Sequence, residues 1–168
     1  MKKFLLSLSL IAAVSTAFVF TSCKDDDEPT AEVSIDTSFA LNTLQNQLKG
    51  SGKTVTKNGE VITVVDAAAN TTTTYSYTYT VNGETYTSAT ALQDALAGMS
   101  GTIPVVVNLV ATSNGQQTVI GTTTSNIFIG EDAATILIDV PTAVPSETSA
   151  IIIYLNGGTT KHSGGGVN

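Results

Sequence analysis

Asn-Gly occurs three times between β-prone runs, at Asn58-Gly59, Asn82-Gly83 and Asn114-Gly115. Both residue types tolerate the positive φ that a tight two-residue loop demands, so each pair predicts an antiparallel hairpin. The flanks agree: "KTVTKNGEVITVV", "YSYTYTVNGETYT" and "LVATSNGQQTVI" are rich in Val, Thr, Tyr and Ile. Thr71 to Thr74 adds a further β-compatible stretch. A chain punctuated in this way is constrained towards β structure with short loops.

Two segments break that pattern with helical spacing. Thr37 or Ser38 can cap "FALNTLQNQLKG", where Leu41, Leu44 and Leu48 recur three and four apart and Gly50 supplies a stop. Ser88 can cap "ATALQDALAG", with Leu92 and Leu96 on one face and Gly98 closing. After the second helix the runs "IPVVVNLV", "ATILIDV" and "SAIIIYL" are continuously apolar. Such runs predict strands covered on both faces.

Composition narrows the function classes. The 168 residues hold seven Lys, no Arg and 14 carboxylates, for a net charge of −7. Nucleic-acid binding needs clustered Lys and Arg to displace counterions from phosphate, so it is excluded as a general role. Apolar residues at 42% with only 12% charged can bury a core, which excludes a disordered tail. A single cysteine, Cys23, excludes a disulfide framework and a cysteine-based zinc site.

The N-terminus carries an address. Lys2 and Lys3 precede an apolar stretch from Phe4 to Phe20. Its 17 residues would span only about 26 Å as a helix, short of the roughly 30 Å hydrocarbon layer. A signal peptide over residues 1–22 is therefore expected rather than a stable span. Thr21 and Ser22 then lead to Cys23 and the acidic run Lys24, Asp25, Asp26, Asp27, Glu28. At these residues the sequence resembles a bacterial lipoprotein precursor. "FTSC" is similar to a lipobox, in which the cysteine becomes the lipidated first residue, although Phe20 stands where Leu is usual. The run after it resembles the acidic export signal of surface-exposed lipoproteins of the Bacteroidota. The resemblance implies a lipid anchor at Cys23 in the outer membrane, facing outward. Removal of residues 1–22 leaves five Lys against 14 carboxylates, a net −9. Such a chain is repelled by anionic bilayers, so the acyl chains alone would hold it there. Residues 23–36 read as a solvated acidic tether, 37–160 as one β-rich domain, and 161–168 as a Gly-rich flexible tail.

A second resemblance bears on the fold. "NGETYTSATALQDALAGMSGTIPVVVNL" resembles the start of a right-handed parallel β-helix: hairpin, amphipathic capping helix, Gly turn, first rung. "SGGGVN" at the end is similar to turns of β-helical surface adhesins. Together they imply a small solenoid, mainly β with two short helices, whose runs 103–110, 135–140 and 150–155 stack in parallel. The three Asn-Gly pairs imply the alternative, an α+β domain of antiparallel hairpins.

Candidate chemistry is sparse. His162 is the only histidine and lies in the Gly-rich tail, without the ordered partners that a triad or metal site requires. Glu131, Asp132 and Asp139 are the densest carboxylates outside the leader. They could serve as an acid–base pair or hold calcium, or be ordinary turn residues, and there is no Arg to stabilise developing negative charge. Gly164 to Gly166 lacks the Lys-Ser/Thr of a phosphate loop. Tyr75, Tyr77 and Tyr79 alternate with Ser76, Thr78 and Thr80, so one sheet face carries three rings and the other three hydroxyls. The ring row is either a face for a carbohydrate or protein ligand or part of the core. No cofactor and no metal are expected. The expected function is a non-enzymatic adhesion or binding module. The alternatives are a carbohydrate-active β-helix fragment, or an accessory subunit of an outer-membrane complex.

Overall fold

Residues 32–130, 134–144 and 149–156 are described by the computed structural model. The Asn-Gly pairs act as expected, with one shift in register. Asn82-Gly83 and Asn114-Gly115 both hold positive φ at each residue and join β4 (Thr71–Val81) to β5 (Glu84–Tyr86) and β6 (Gly101–Ser113) to β7 (Gln116–Ile129). This is the backbone of a type I′ turn. Between β2 (Lys53–Asn58) and β3 (Val61–Asp66) the loop is Gly59-Glu60 instead, with Gly59 alone at positive φ. That arrangement suits a type II′ turn.

All pairings are antiparallel. Six strands form one sheet in the order β2-β3-β4-β6-β7, with β5 beside the far end of β4. β1 (Glu32–Asp36), β9 (Ser149–Asn156) and β8 (Ala134–Val140) form a second sheet in the order β1-β9-β8. The runs 103–110, 135–140 and 150–155 therefore do not stack in parallel, and the solenoid expectation is wrong. Any β-helical enzyme reading goes with it. Turn chemistry decided the outcome for the first run: the two-residue loop Asn114-Gly115 returns the chain alongside β6 as β7.

Alternation shows which face is inside. On the large sheet Ile62, Val64, Tyr77, Tyr79, Val81, Val105, Val107, Leu109 and Ile127 are buried, and they meet Ile138, Val140, Ile151 and Ile153 of the small sheet in one core. The apolar runs are thus fully covered on one side only. Leu137 is 66% exposed, between buried Ile138 and half-buried Ile136. Gly121 sits where the layers approach closely: a Cβ there would overlap the ring of Pro141.

The helices fill the rest of the inner layer. α1 (Ser38–Leu48) buries Leu41 and Leu44 and packs on β9, β2 and β3. Asp36 accepts a hydrogen bond from the Ser38 N–H at 2.8 Å at its start, and the Ser38 hydroxyl together with this N–H holds the Asp36 carboxyl below its usual range. α2 (Ala89–Leu96) buries Leu92 and Leu96 against β1 and β5. It plugs the space between the sheets rather than closing the end of a stack. Ser88 caps it, accepting from the Ala91 N–H at 3.1 Å. The Glu60 carboxylate accepts from the Ala89 N–H at 2.9 Å and satisfies a second free donor. Domain boundaries shift accordingly. Residues 32–36, expected as tether, form β1 and pair with β9, because Val33 and Ile35 have a core to enter.

Candidate functional site

The Tyr row resolves into core. Tyr77 is 3% and Tyr79 1% exposed, and Tyr75 packs against the same cluster. The rings are therefore no ligand face, since the small sheet covers the side to which they point. The Tyr77 hydroxyl donates to the Pro141 carbonyl at 3.0 Å. Burial pushes its pKa up to about 12, partly offset by the Ser149 hydroxyl. Burial also raises Tyr79, with smaller contributions from Glu60 and Tyr77.

The other side of the same strand faces solvent, and its neighbours can be read from the register. One row across the sheet runs Thr56, Thr63, Thr74, Thr112, Gln117. Another runs Thr78, Asn108, Thr122, and a third Thr85, Thr80, Val106, Thr124. Rows lie about 6.7 Å apart along the strands, and neighbours within a row about 4.8 Å apart. Hydroxyls are partly linked into pairs: Thr80 to Thr85 at 3.0 Å, and Thr122 donating to Asn108 Oδ1 at 2.8 Å.

No ionisable residue has the parity of this outer face in any of the six strands. The charged strand residues, Lys53, Lys57, Asp66 and Glu84, all share the parity of the inner face and sit at its margins. Lys57, for example, reaches over to Asn42 of α1 at 2.6 Å. This inverts the common arrangement, in which an antiparallel sheet puts its charges towards water. The result is a broad, uncharged array of hydroxyl and amide groups, interspersed with Val61, Val65, Val106 and Val119, on a protein of net charge −7.

The remaining candidates are not brought together. Asp139 is exposed on the outer side of β8, with Ala150 as its register partner. Glu131, Asp132, His162 and Gly164 to Gly166 lie outside the described residues, as do Cys23 and Lys24 to Glu28. Among the described residues no three His, Cys, Asp or Glu side chains converge as metal ligands would. No helix among them is long and apolar enough to cross a membrane. The threonine face was missed by the sequence reading, which followed the rings and not the hydroxyls between them. Its signal was present as Thr-x-Thr spacing at 54–56, 72–80 and 122–124.

No known protein family, curated protein or solved structure matches the chain.

Proposed function

We propose that the chain is a surface-displayed, lipid-anchored binding module of the outer membrane, without enzymatic activity. Its ligand surface is the outer face of the six-stranded sheet. Cys23 and the acidic run after it support the anchoring and the outward display, through their resemblance to lipoprotein signals. The carrying observation is the uncharged lattice of Thr, Ser and Asn groups. Each hydroxyl both donates and accepts, and none demands a counter-charge. Such a face suits a ligand that is itself neutral and dense in hydroxyls, a neutral polysaccharide. An extended chain lying along the row from Thr56 to Gln117 would meet a hydroxyl or an amide at every strand.

The test has two parts. Cys23→Ala should move the protein from the detergent phase to the aqueous phase, and Ala at Asp25, Asp26 and Asp27 should reduce protease access on intact cells. Retention by insoluble neutral polysaccharides is then measured for the full chain in detergent. Thr78→Asp and Thr122→Asp should abolish retention while leaving the melting temperature close to wild type. Wild-type protein that is retained by none of the polysaccharides overturns the ligand assignment.

A further inference from the structure

Each sheet ends in two edge strands, and an unprotected edge is a template for pairing with another chain. Three of these four end strands carry charge, Glu32 and Asp36 on β1, Lys53 and Lys57 on β2 and Asp139 on β8, as does the short β5 beside β4 through Glu84. The fourth, β7, has 14 residues, the longest strand of the domain, with neither charge nor proline. Beyond its ladder to β6, no backbone hydrogen bond ties β7 to another described residue. It also concentrates exposed apolar side chains: Val119 at 55%, Ile120 at 44% and Phe128 at 63%.

We infer that β7 is the interface of a symmetric homodimer, two copies pairing antiparallel about a two-fold axis at Thr124. A second copy is the occupant that the charges favour. Symmetric pairing of any other end strand with its own copy sets like charges together, carboxylates at β1 and β8 and ammonium groups at β2, whereas β7 meets its copy with no charge on either side. The spacing of its side chains fixes the register. Placing Thr124 opposite Thr124 brings Phe128 of each copy to the bulge at Ile120 of the other, and sets Thr122 against Asn126. The first contact buries the exposed apolar groups on both sides. The second repeats the Thr–Asn hydrogen bond already made inside each copy by Thr122 and Asn108. The seven residue pairs over 121–127 would make about seven backbone hydrogen bonds, within the range a standard interface carries. Residues paired across antiparallel strands point the same way, so the two threonine faces would join into one. The dimer stands whether or not that face binds polysaccharide.

The experiment uses the full chain in density-matched detergent. Sedimentation equilibrium should show twice the mass of the mature lipidated chain. Thr124→Lys sets two ammonium groups against each other on the axis and should weaken dimerisation about tenfold or more, with an unchanged far-UV circular dichroism spectrum. Thr56→Lys, on the edge strand at the other side of the sheet, should leave it unchanged. Independently, Thr124→Cys should form a disulfide-linked dimer under mild oxidation, because facing Cβ atoms on paired strands lie within disulfide reach. Thr78→Cys, two strands inward on the same face, should not. A wild-type chain that sediments as a monomer at the highest concentration it tolerates overturns the proposal. So does a Thr124→Lys dimer as tight as wild type, or equal cross-linking at positions 124 and 78.

Discussion

On the six-stranded sheet the solvent face mixes Thr, Ser and Asn with Val61, Val65, Val119 and Phe128 and holds no charge. On the three-stranded sheet it holds Leu137, Ile152 and Tyr154, with Leu137 opposite Ile152 in register and Tyr154 40% exposed. Yet both sheets send the same kind of residue inward: Val107, Leu109 and Ile127 from one, Ile138, Ile151 and Ile153 from the other, in a single cluster. Inward faces are dictated by the shared core, and outward faces are free to differ. The large sheet assembles from chain neighbours through short turns. The small sheet joins the first strand to the last two and has no such local instruction. The comparison teaches that the small sheet depends on the large one for its place, and the large one depends on the small one for its cover.

The sharpest way to break that interdependence is at Ile153, fully buried at the centre of the small sheet. Ile153→Ala should cost about 2–5 kcal/mol. If the two sheets are one cooperative unit, tyrosine signals from Tyr77 and Tyr79 and the far-UV signal will be lost together in denaturant. Two separated transitions would show that the large sheet stands alone.

Alkali probes the contact between the layers. Tyr77 reaches across to Pro141, and its pKa is raised from 10.0 to about 12. A raised pKa means that the folded state holds the proton more tightly. Its contribution is complete below pH 10 and is lost as pH rises towards about 12. The loss should approach 2–3 kcal/mol, since each unit is worth about 1.4 kcal/mol. Tyrosinate absorbance and unfolding should rise together, and Tyr77→Phe should flatten the part of the decline due to this residue.

The smallest effect is at α2, which bridges the two sheets. Its N-terminus is held by Glu60 from the large sheet's first turn, while its Gln93 side chain accepts from the Ile35 N–H of β1 at 3.4 Å. Glu60→Ala should cost about 0.5–1.5 kcal/mol, as the loss of a capping acceptor does. Part of that cost should vanish in high salt, which screens the carboxylate's attraction to the helix dipole. Ser88→Ala should cost a similar amount without the salt dependence, because a neutral hydroxyl carries no charge to screen.

Local features were legible. Both helices lie where the leucine spacing put them, and the turns of Asn82-Gly83 and Asn114-Gly115 form as their dipeptides require. The β3–β4 turn was not. Asp66 builds it by accepting from the N–H groups of Ala68 and Ala69, and Asn70 takes positive φ, within a segment otherwise made of three alanines. β1 was hidden because "EVSID" is short and adjoins an acidic run, and its partner lies more than 100 residues away. The apolar runs misled for another reason. Continuous hydrophobicity shows that a strand can be covered on both sides, not that it is. The threonine face needed register as well as spacing, since no single strand reveals that its neighbours also withhold charge.

The pairing of Glu32 with Asn156 has a mechanical consequence. Both ends of the described domain leave from the same end of the small sheet. Tension applied between them would peel β1 from β9 one pair at a time. Tension applied along β1 instead loads all five of its residue pairs with β9 at once. A module pulled through its N-terminus in that direction is therefore loaded in shear, the direction in which a β ladder resists best.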